Sequence, residues 1–378
     1  MSSISNFHPT FATVDLAALS HNLSQIRKCL APGCAVMPVI KANAYGHGAI
    51  EIAQALIRQD VGHLAVFSIE EAIALRQAGI TVSIVVLGPF FPQQVQDLIL
   101  HRLTPVVSDR SILEVMAYTT HARPTPYPIH VKVETGMNRL GLTQDDLETL
   151  FAQRTFPSSL HLEGLMSHLA DSDGDVQDFT EAQISRFNRA LSVTRSGGYE
   201  VPLIHLSNSA SIIRFPSAHH TMVRPGIMLY GYHTLPSTIS APDLQPVLSL
   251  TTCIAQFRLL QPGDRVSYNG TFIARRSTRI AVLPIGYADG LNRRLSNRGV
   301  VLIRGQRVPI IGLVCMDMVM VDITAVPDAM VGDEVVVIGQ QGGETISAKD
   351  IAEWTGTIPY EVLCAISPRV PRRYRHSS

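Results

Sequence analysis

Several short segments of the 378-residue chain carry side chains whose types and spacing could do chemistry. In AVMPVIKANAYGHGA (35–49) an apolar run ends in Lys41, and Asn43, Tyr45 and two glycines follow. A lysine at the exit of a buried run is partly desolvated, which disfavours the ammonium and frees a nucleophilic amine. Such an amine forms Schiff bases with carbonyls, pyridoxal phosphate among them. Tyr45 and its small neighbours leave room for an anionic group and a hydroxyl contact to a phosphate. Gly46 and Gly48 read equally as turn glycines. Taken alone, a lysine so placed is more often one that snorkels at a strand end.

Other segments offer partners. HVKVETGMNRLG (130–141) places Lys132, Glu134 and Arg139 beyond another apolar run. An arginine fork suits a carboxylate or phenolic oxygen, although Lys132 and Arg139 also read as a surface pair. LEGLMSHLADSD (162–173) contributes His168 and Asp173, and a lone strand-end histidine is usually structural. IHLSNSASIIRFP (204–216) sets Asn208 and Ser209 at an expected helix start, where backbone N–H groups favour a phosphate. A routine N-cap gives the same pattern. MVRPGIMLYG (222–231) supplies Arg224, Gly226 and Ile227. PGDRVSYNGTF (262–272) holds Tyr268, which by itself reads as a strand aromatic. IGYADGLNRR (285–294) holds Tyr287. IIGLVCMDMVMVD (310–322) holds Cys315, Met316 and Asp317, by itself a buried strand with a solvent-facing aspartate.

Eight apolar runs must position these groups: 34–40, 63–67, 83–87, 104–108, 129–133, 162–168, 203–207 and 221–225. Most lack polar alternation, as parallel strands buried on both faces do. Helical patterns lie between them. In 68–79, Ser68 and Glu71 make a capping box and Gly79 a stop; 108–118 and 175–198 are two more. The alternation predicts an α/β fold, a (β/α)₈ TIM-type barrel over residues 1–240, with the first ten or so residues free to pack elsewhere. An open doubly wound sheet fits less well, since no G-x-G-x-x-G follows an early strand. After the proline-punctuated APDLQP, residues 241–378 predict a mostly β C-terminal domain with one short helix at 347–356. Barrel chemistry gathers at the C-terminal strand ends, which is where Lys41 falls.

Lysine plus arginine and aspartate plus glutamate number 31 each, so no net field favours nucleic acid or an anionic membrane. The basic run PRVPRRYR near the C-terminus reads as a solvated tail. Five cysteines without a C-x-x-C pair suggest neither a zinc site nor a disulfide framework. No signal-like N-terminus or membrane-length apolar run stands out. A cytoplasmic protein with reduced thiols is expected.

The segment VIKANAYGHG resembles the cofactor-attachment segment of alanine racemases, and the likeness runs from VDLAALSHNL to SPRVPR. The resemblance implies pyridoxal 5'-phosphate on Lys41 and interconversion of L- and D-alanine by two bases. Lys41 would serve the D-substrate and Tyr268 the L-substrate. A phenol ionises near about pH 10 in water, so Tyr268 would need help, expected from His168 and Arg224. The resemblance sets Ser209, Asn208 and the backbone amides of Gly226 and Ile227 on the phosphate, with Tyr45. Arg224 faces the pyridine nitrogen, and a permanently charged partner there makes the ring a weaker electron sink. Arg139 takes the phenolic oxygen and the substrate carboxylate, and the Met316 amide takes that carboxylate too. Lys132 matches a lysine carbamylated in many members. Asp173 and Tyr287 line the entrance, with Cys315 and Asp317 in support. Family members are homodimers in which one chain supplies Tyr268 and Met316 to the other's site.

Two positions depart from the family. Pro368 stands where many relatives have a phosphate-contacting tyrosine, and Leu313 where some have an arginine. Pro368 offers neither a hydroxyl nor an amide donor. Racemisation of serine or another small amino acid is therefore an alternative. Two further alternatives are a barrel decarboxylase, which needs an acid where Arg224 stands, and a non-enzymatic cofactor-binding protein, which lacks the β domain with its tyrosine.

Overall fold

A computed structural model describes residues 8–236 and 238–376. The chain divides into two compact units. One comprises residues 20–44 and 49–244, the other 1–19, 45–48 and 245–378.

The first unit is an α/β barrel. Strands His63–Val66, Ser83–Val86, Thr104–Val107, Tyr127–Lys132, Leu160–Met166 and Leu203–His205 run parallel in one sheet. Segment 35–40 closes the ring. It pairs in parallel with Met222–Val223 on one side and bridges Ala65 through Val39 on the other. The Thr221 and Arg224 amides donate to the Ile204 and Ser207 carbonyls, joining the seventh strand to the eighth. Among the described residues, the eight strands coincide with the eight apolar runs. Their burial has the cause inferred from composition: Thr104–Val107 is buried at every position, with the barrel interior on one face and helices on the other.

Helices return the chain between strands. Ile69–Gln77 has Ser68 as N-cap in a capping box with Glu71, and Gly79 follows at φ 84°. Arg110–Thr120 is capped by Asp109, and Asp178–Ser196 covers most of the long pattern expected over 175–198. One irregularity bears on the site. Between Ile129 and His130 the register of the fifth and sixth strands slips by a residue, so Ile129 faces Leu162 while His130 faces Gly164. Glu163 is the extra residue, as in a β-bulge.

The second unit is mostly β. Its sheet runs, in spatial order, Gln256–Leu260, Thr278–Leu283, Val319–Asp322, Gln306–Ile311, Val300–Ile303, Glu334–Gln341, Leu248–Cys253, Phe11–Asp15 and Arg372–Arg375. Helix Ala348–Thr355, capped by Ser347 and ended by Gly356 at φ 69°, lies where the sequence placed it. The basic run near the C-terminus is not a solvated tail. Arg372–Arg375 is a strand parallel to Phe11–Asp15. Arg373 stacks 3.6 Å from the Phe11 ring centroid, and Arg375 pairs with Asp15. Arg372 donates to the carbonyls of Ile366, Ser367, Val370 and Gly46. Side-chain stacking and ion pairing give these arginines a reason to order that composition alone does not reveal.

Candidate active site

The barrel gathers its reactive side chains at the C-terminal strand ends. Lys41 leaves the first strand and is half-buried. The backbone after it is unusual: Ala42, Asn43, Ala44 and Tyr45 all have φ between 52° and 54°, a left-handed turn without glycine. Each such residue costs roughly 1–2 kcal/mol, so the turn persists only where its surroundings impose it. Glu71 imposes part of it. Its carboxylate accepts from the Ala42 amide at 2.5 Å and from the Phe67 and Ser68 amides at 2.8 and 3.2 Å. Asn43 accepts from the Ala49 amide at 2.8 Å, tying the turn to helix Ala49–Ile57.

Around Lys41 stand four more ionisable side chains. Lys132, at the end of the fifth strand, is buried, so it is not a member of a surface pair. Desolvation first, then the charges of Arg139, Arg224 and Lys41, lower its pKa to about 8, while Glu134 opposes them. His168 leaves the sixth strand. Burial, followed by Arg224, Lys132, Arg139 and Lys41, holds its pKa well below the ordinary histidine range. Its imidazole is therefore neutral near pH 7. Arg139 is exposed in the loop beyond Lys132.

Arg224 is 3% exposed and over-determined in position. Nη1 donates to His205 Nδ1 at 2.9 Å and to the His205 carbonyl at 2.5 Å. Nη2 donates to the Ser167 and Leu206 carbonyls at 2.7 and 3.1 Å and faces His168 Nδ1 at 3.3 Å. Burial pushes its pKa down to about 9, which leaves it a cation at neutral pH.

Asn208 and Ser209 open helix Ser209–Arg214, and Ser209 Oγ accepts from the Gly226 amide at 2.9 Å. Gly226 in turn opens the 3₁₀ turn Ile227–Tyr230. Two helical N-termini thus meet through one hydroxyl, a donor-rich cradle of the kind a phosphate occupies. Asn208 Oδ1 accepts from Ser172 Oγ at 2.8 Å, beside the half-buried Asp173. A lysine, a fixed arginine cation and this cradle on one barrel rim fit the aldehyde, ring nitrogen and phosphate of pyridoxal 5'-phosphate. Tyr45 clusters with the β unit, where it is buried with its ring 5.8 Å from that of Tyr360.

The β unit presents a second group of residues. Tyr268, 70% exposed, begins the turn Tyr268–Gly270 between Ser267 and Asn269, both at positive φ (65° and 62°). Ser267 Oγ anchors the turn by donating to the Leu313 carbonyl at 2.7 Å. Tyr268, Cys315, Met316 and Asp317 line one groove of about 430 Å³. Tyr287 and Ala288 donate their amides to the Cys315 and Met316 carbonyls at 3.0 Å. A side chain at Gly286 would meet the Met316 carbonyl oxygen at 2.1 Å, so only glycine permits that approach. Asp317 pairs with Arg369 at 2.9 Å.

Sequence reasoning missed Glu71 as a support of Lys41, finding only its capping-box spacing. It also passed over Glu163, His130 and His205, all inside quoted segments. Histidines inside the apolar runs IHVKV and LIHLS were the available signal.

Comparison with known proteins identifies the family. The family model for the alanine racemase N-terminal domain matches residues 14–234, and that for the C-terminal domain matches 247–374. The chain is 42% identical to the alanine racemase of Halothermothrix orenii over 368 residues, covering 97% of each chain. It superposes on alanine racemase from Clostridium difficile 630 with a TM-score of 0.92 at 33% identity, covering 98% of this chain and 97% of that one. A structure of alanine racemase from Bartonella henselae with covalently bound pyridoxal phosphate gives a TM-score of 0.88 at 29% identity, with 98% and 100% covered. Together these matches span almost the whole chain, and it belongs to the alanine racemase family.

Proposed function

We propose that Lys41 on the barrel and Tyr268 on the β unit are the two proton-transfer groups of an enzyme that interconverts L-alanine and D-alanine with pyridoxal 5'-phosphate. The observation that carries this reading is the cluster of Lys41, Lys132, Arg139 and Arg224 around a neutral His168. When bound, the cofactor supplies an aldehyde that condenses with amines and a ring that acidifies the neighbouring carbon. Lys41 would hold it covalently. Ser209, Asn208 and the Gly226 and Ile227 amides, with Tyr45, would hold its phosphate, and Arg224 would meet its ring nitrogen. Arg139 and the Met316 amide orient the substrate carboxylate. His168, accepting at Nδ1 from Arg224, carries its proton on Nε2 and donates it toward the phenol of Tyr268. Lys41 exchanges the Cα proton on one face and Tyr268 on the other. Asp173 and Tyr287 line the entrance, Cys315 and Asp317 support the Met316 turn, and Lys132, once carbamylated, orients Arg139 through the added carboxylate.

The enzyme works as a homodimer in which each β unit lends Tyr268 and Met316 to the partner's barrel. Tyr268, Met316 and Met318 are each at least half exposed in one groove, and large apolar side chains so clustered call for a cover. Five free thiols fit a cytoplasmic site of action. Chiral chromatography tests the assignment. The cofactor-loaded protein converts L-alanine to D-alanine faster than L-serine to D-serine, and borohydride fixes the cofactor to Lys41. A loaded protein that leaves both alanine enantiomers unchanged overturns it.

A further inference from the structure

The barrel interior contains a line of polar groups beneath the rim that no proton transfer touches. Arg224 Nη1 lies 2.9 Å from His205 Nδ1, His205 Nε2 lies 2.8 Å from His130 Nδ1, and His130 Nε2 lies 3.2 Å from Glu163 Oε2. Both imidazoles are fully buried. Glu163 is 27% exposed in its side chain and so touches solvent.

Donor and acceptor roles along this line follow from its first member. A guanidinium only donates, so His205 Nδ1 must accept and the His205 proton sits on Nε2. That proton points at His130 Nδ1, which must accept in turn. The His130 proton then sits on Nε2 and points at the carboxylate, which only accepts. One arrangement satisfies every contact, and it runs from a buried cation to an anion through two neutral imidazoles. The backbone is shaped for it. The bulge at Glu163 re-aims that side chain, and a Cβ at residue 164 would strike the His130 ring at 2.5 Å. Two further titratable groups face the outer end of the line, His63 and His161, both near Glu163. Burial lowers the pKa of His63 and favours its neutral form.

We propose that Glu163 is a positioning residue for the reaction: acting through His130 and His205, it fixes the proton arrangement that keeps Arg224 a cationic donor in one orientation. This rests on the assignment of Arg224 to the cofactor's ring nitrogen made above. Glu163→Gln leaves the size of the side chain but adds a donor. An amide turned to donate reverses both imidazole tautomers and sets a His205 N–H against the Arg224 N–H.

Nitrogen-15 imidazole spectra of the holoenzyme, repeated after the cofactor is removed, read the tautomers directly. The unaltered protein shows His130 and His205 protonated on Nε2 in both states. Glu163→Gln shows a share of Nδ1-protonated His130. It also lowers kcat about tenfold or more with little change in KM, and Glu163→Asp restores part of the loss. Nδ1 protonation of either histidine in the unaltered protein overturns the proposal, and needs no variant to fold. So does a Glu163→Gln enzyme with unchanged spectra and kcat. An unaltered protein that fails to racemise alanine contradicts the functional assignment instead, since the tautomers are read independently of turnover.

Discussion

At the scale of single residues, the two proton-transfer groups are separable by isotope. With Tyr268→Phe, Lys41 still holds the cofactor, so the protein stays coloured while racemisation falls by roughly 10²–10⁴-fold, the range of a lost general acid–base. In deuterium oxide this variant still exchanges the Cα hydrogen of D-alanine, through Lys41, but not that of L-alanine; equal exchange from both enantiomers contradicts the roles given. Lys132 supplies a second prediction. Its fall from 10.5 to about 8 corresponds to about 3 kcal/mol against the buried ammonium. The folded form holds its proton less tightly than the unfolded chain. Above pH 10.5 both are neutral and the group costs nothing; as pH falls from 10.5 to about 8 stability is lost, and below that the penalty is constant. Attack of the neutral amine on carbon dioxide, with loss of a proton, would replace the ammonium by a carbamate able to pair with Arg139. Bicarbonate at pH 8 is therefore expected to raise the melting temperature by a few degrees in the unaltered protein and not in Lys132→Met; equal responses exclude the adduct at this lysine.

At the scale of elements, the turn after Lys41 depends on a helix cap. Glu71 joins the Ala42 amide to the capping box of Ile69–Gln77. Glu71→Ala should lower stability by about 1–2 kcal/mol, as lost caps do, and slow cofactor attachment followed by absorbance. A variant that melts earlier but takes up cofactor at the normal rate would confine Glu71 to capping. The elements themselves were largely legible. Runs such as TPVVS and IHVKV are buried on both faces and announce parallel strands, and Ser68 with Glu71 announces a helix start. What a run cannot announce is a pairing decided by distant chain. The parallel strand Arg372–Arg375 exists because Phe11 and Asp15 receive its arginines. Glu163 takes its place because one residue of register slips between strands. The left-handed turn has no glycine to mark it, since tertiary hydrogen bonds rather than local preference hold it. Of the site, Lys41 and Arg224 could be suspected from their places at strand ends. Tyr268 could not, because an exposed tyrosine in a β domain is ordinary until a partner surface is considered.

At the scale of the whole molecule, each active site of the proposed homodimer is divided between two chains: a barrel with Lys41 from one and a β unit with Tyr268 from the other. The pairing of two inactive variants tests this most directly. Lys41→Ala and Tyr268→Phe are each expected to lose nearly all activity. A mixed dimer carries both lesions in one site and neither in the other. After subunit exchange of equal amounts, half the dimers are mixed and half of their sites intact, so about a quarter of the unaltered activity should return. Recovery near that level confirms a shared site. Exchanged subunits, shown to be mixed by mass, that stay inactive would contradict it.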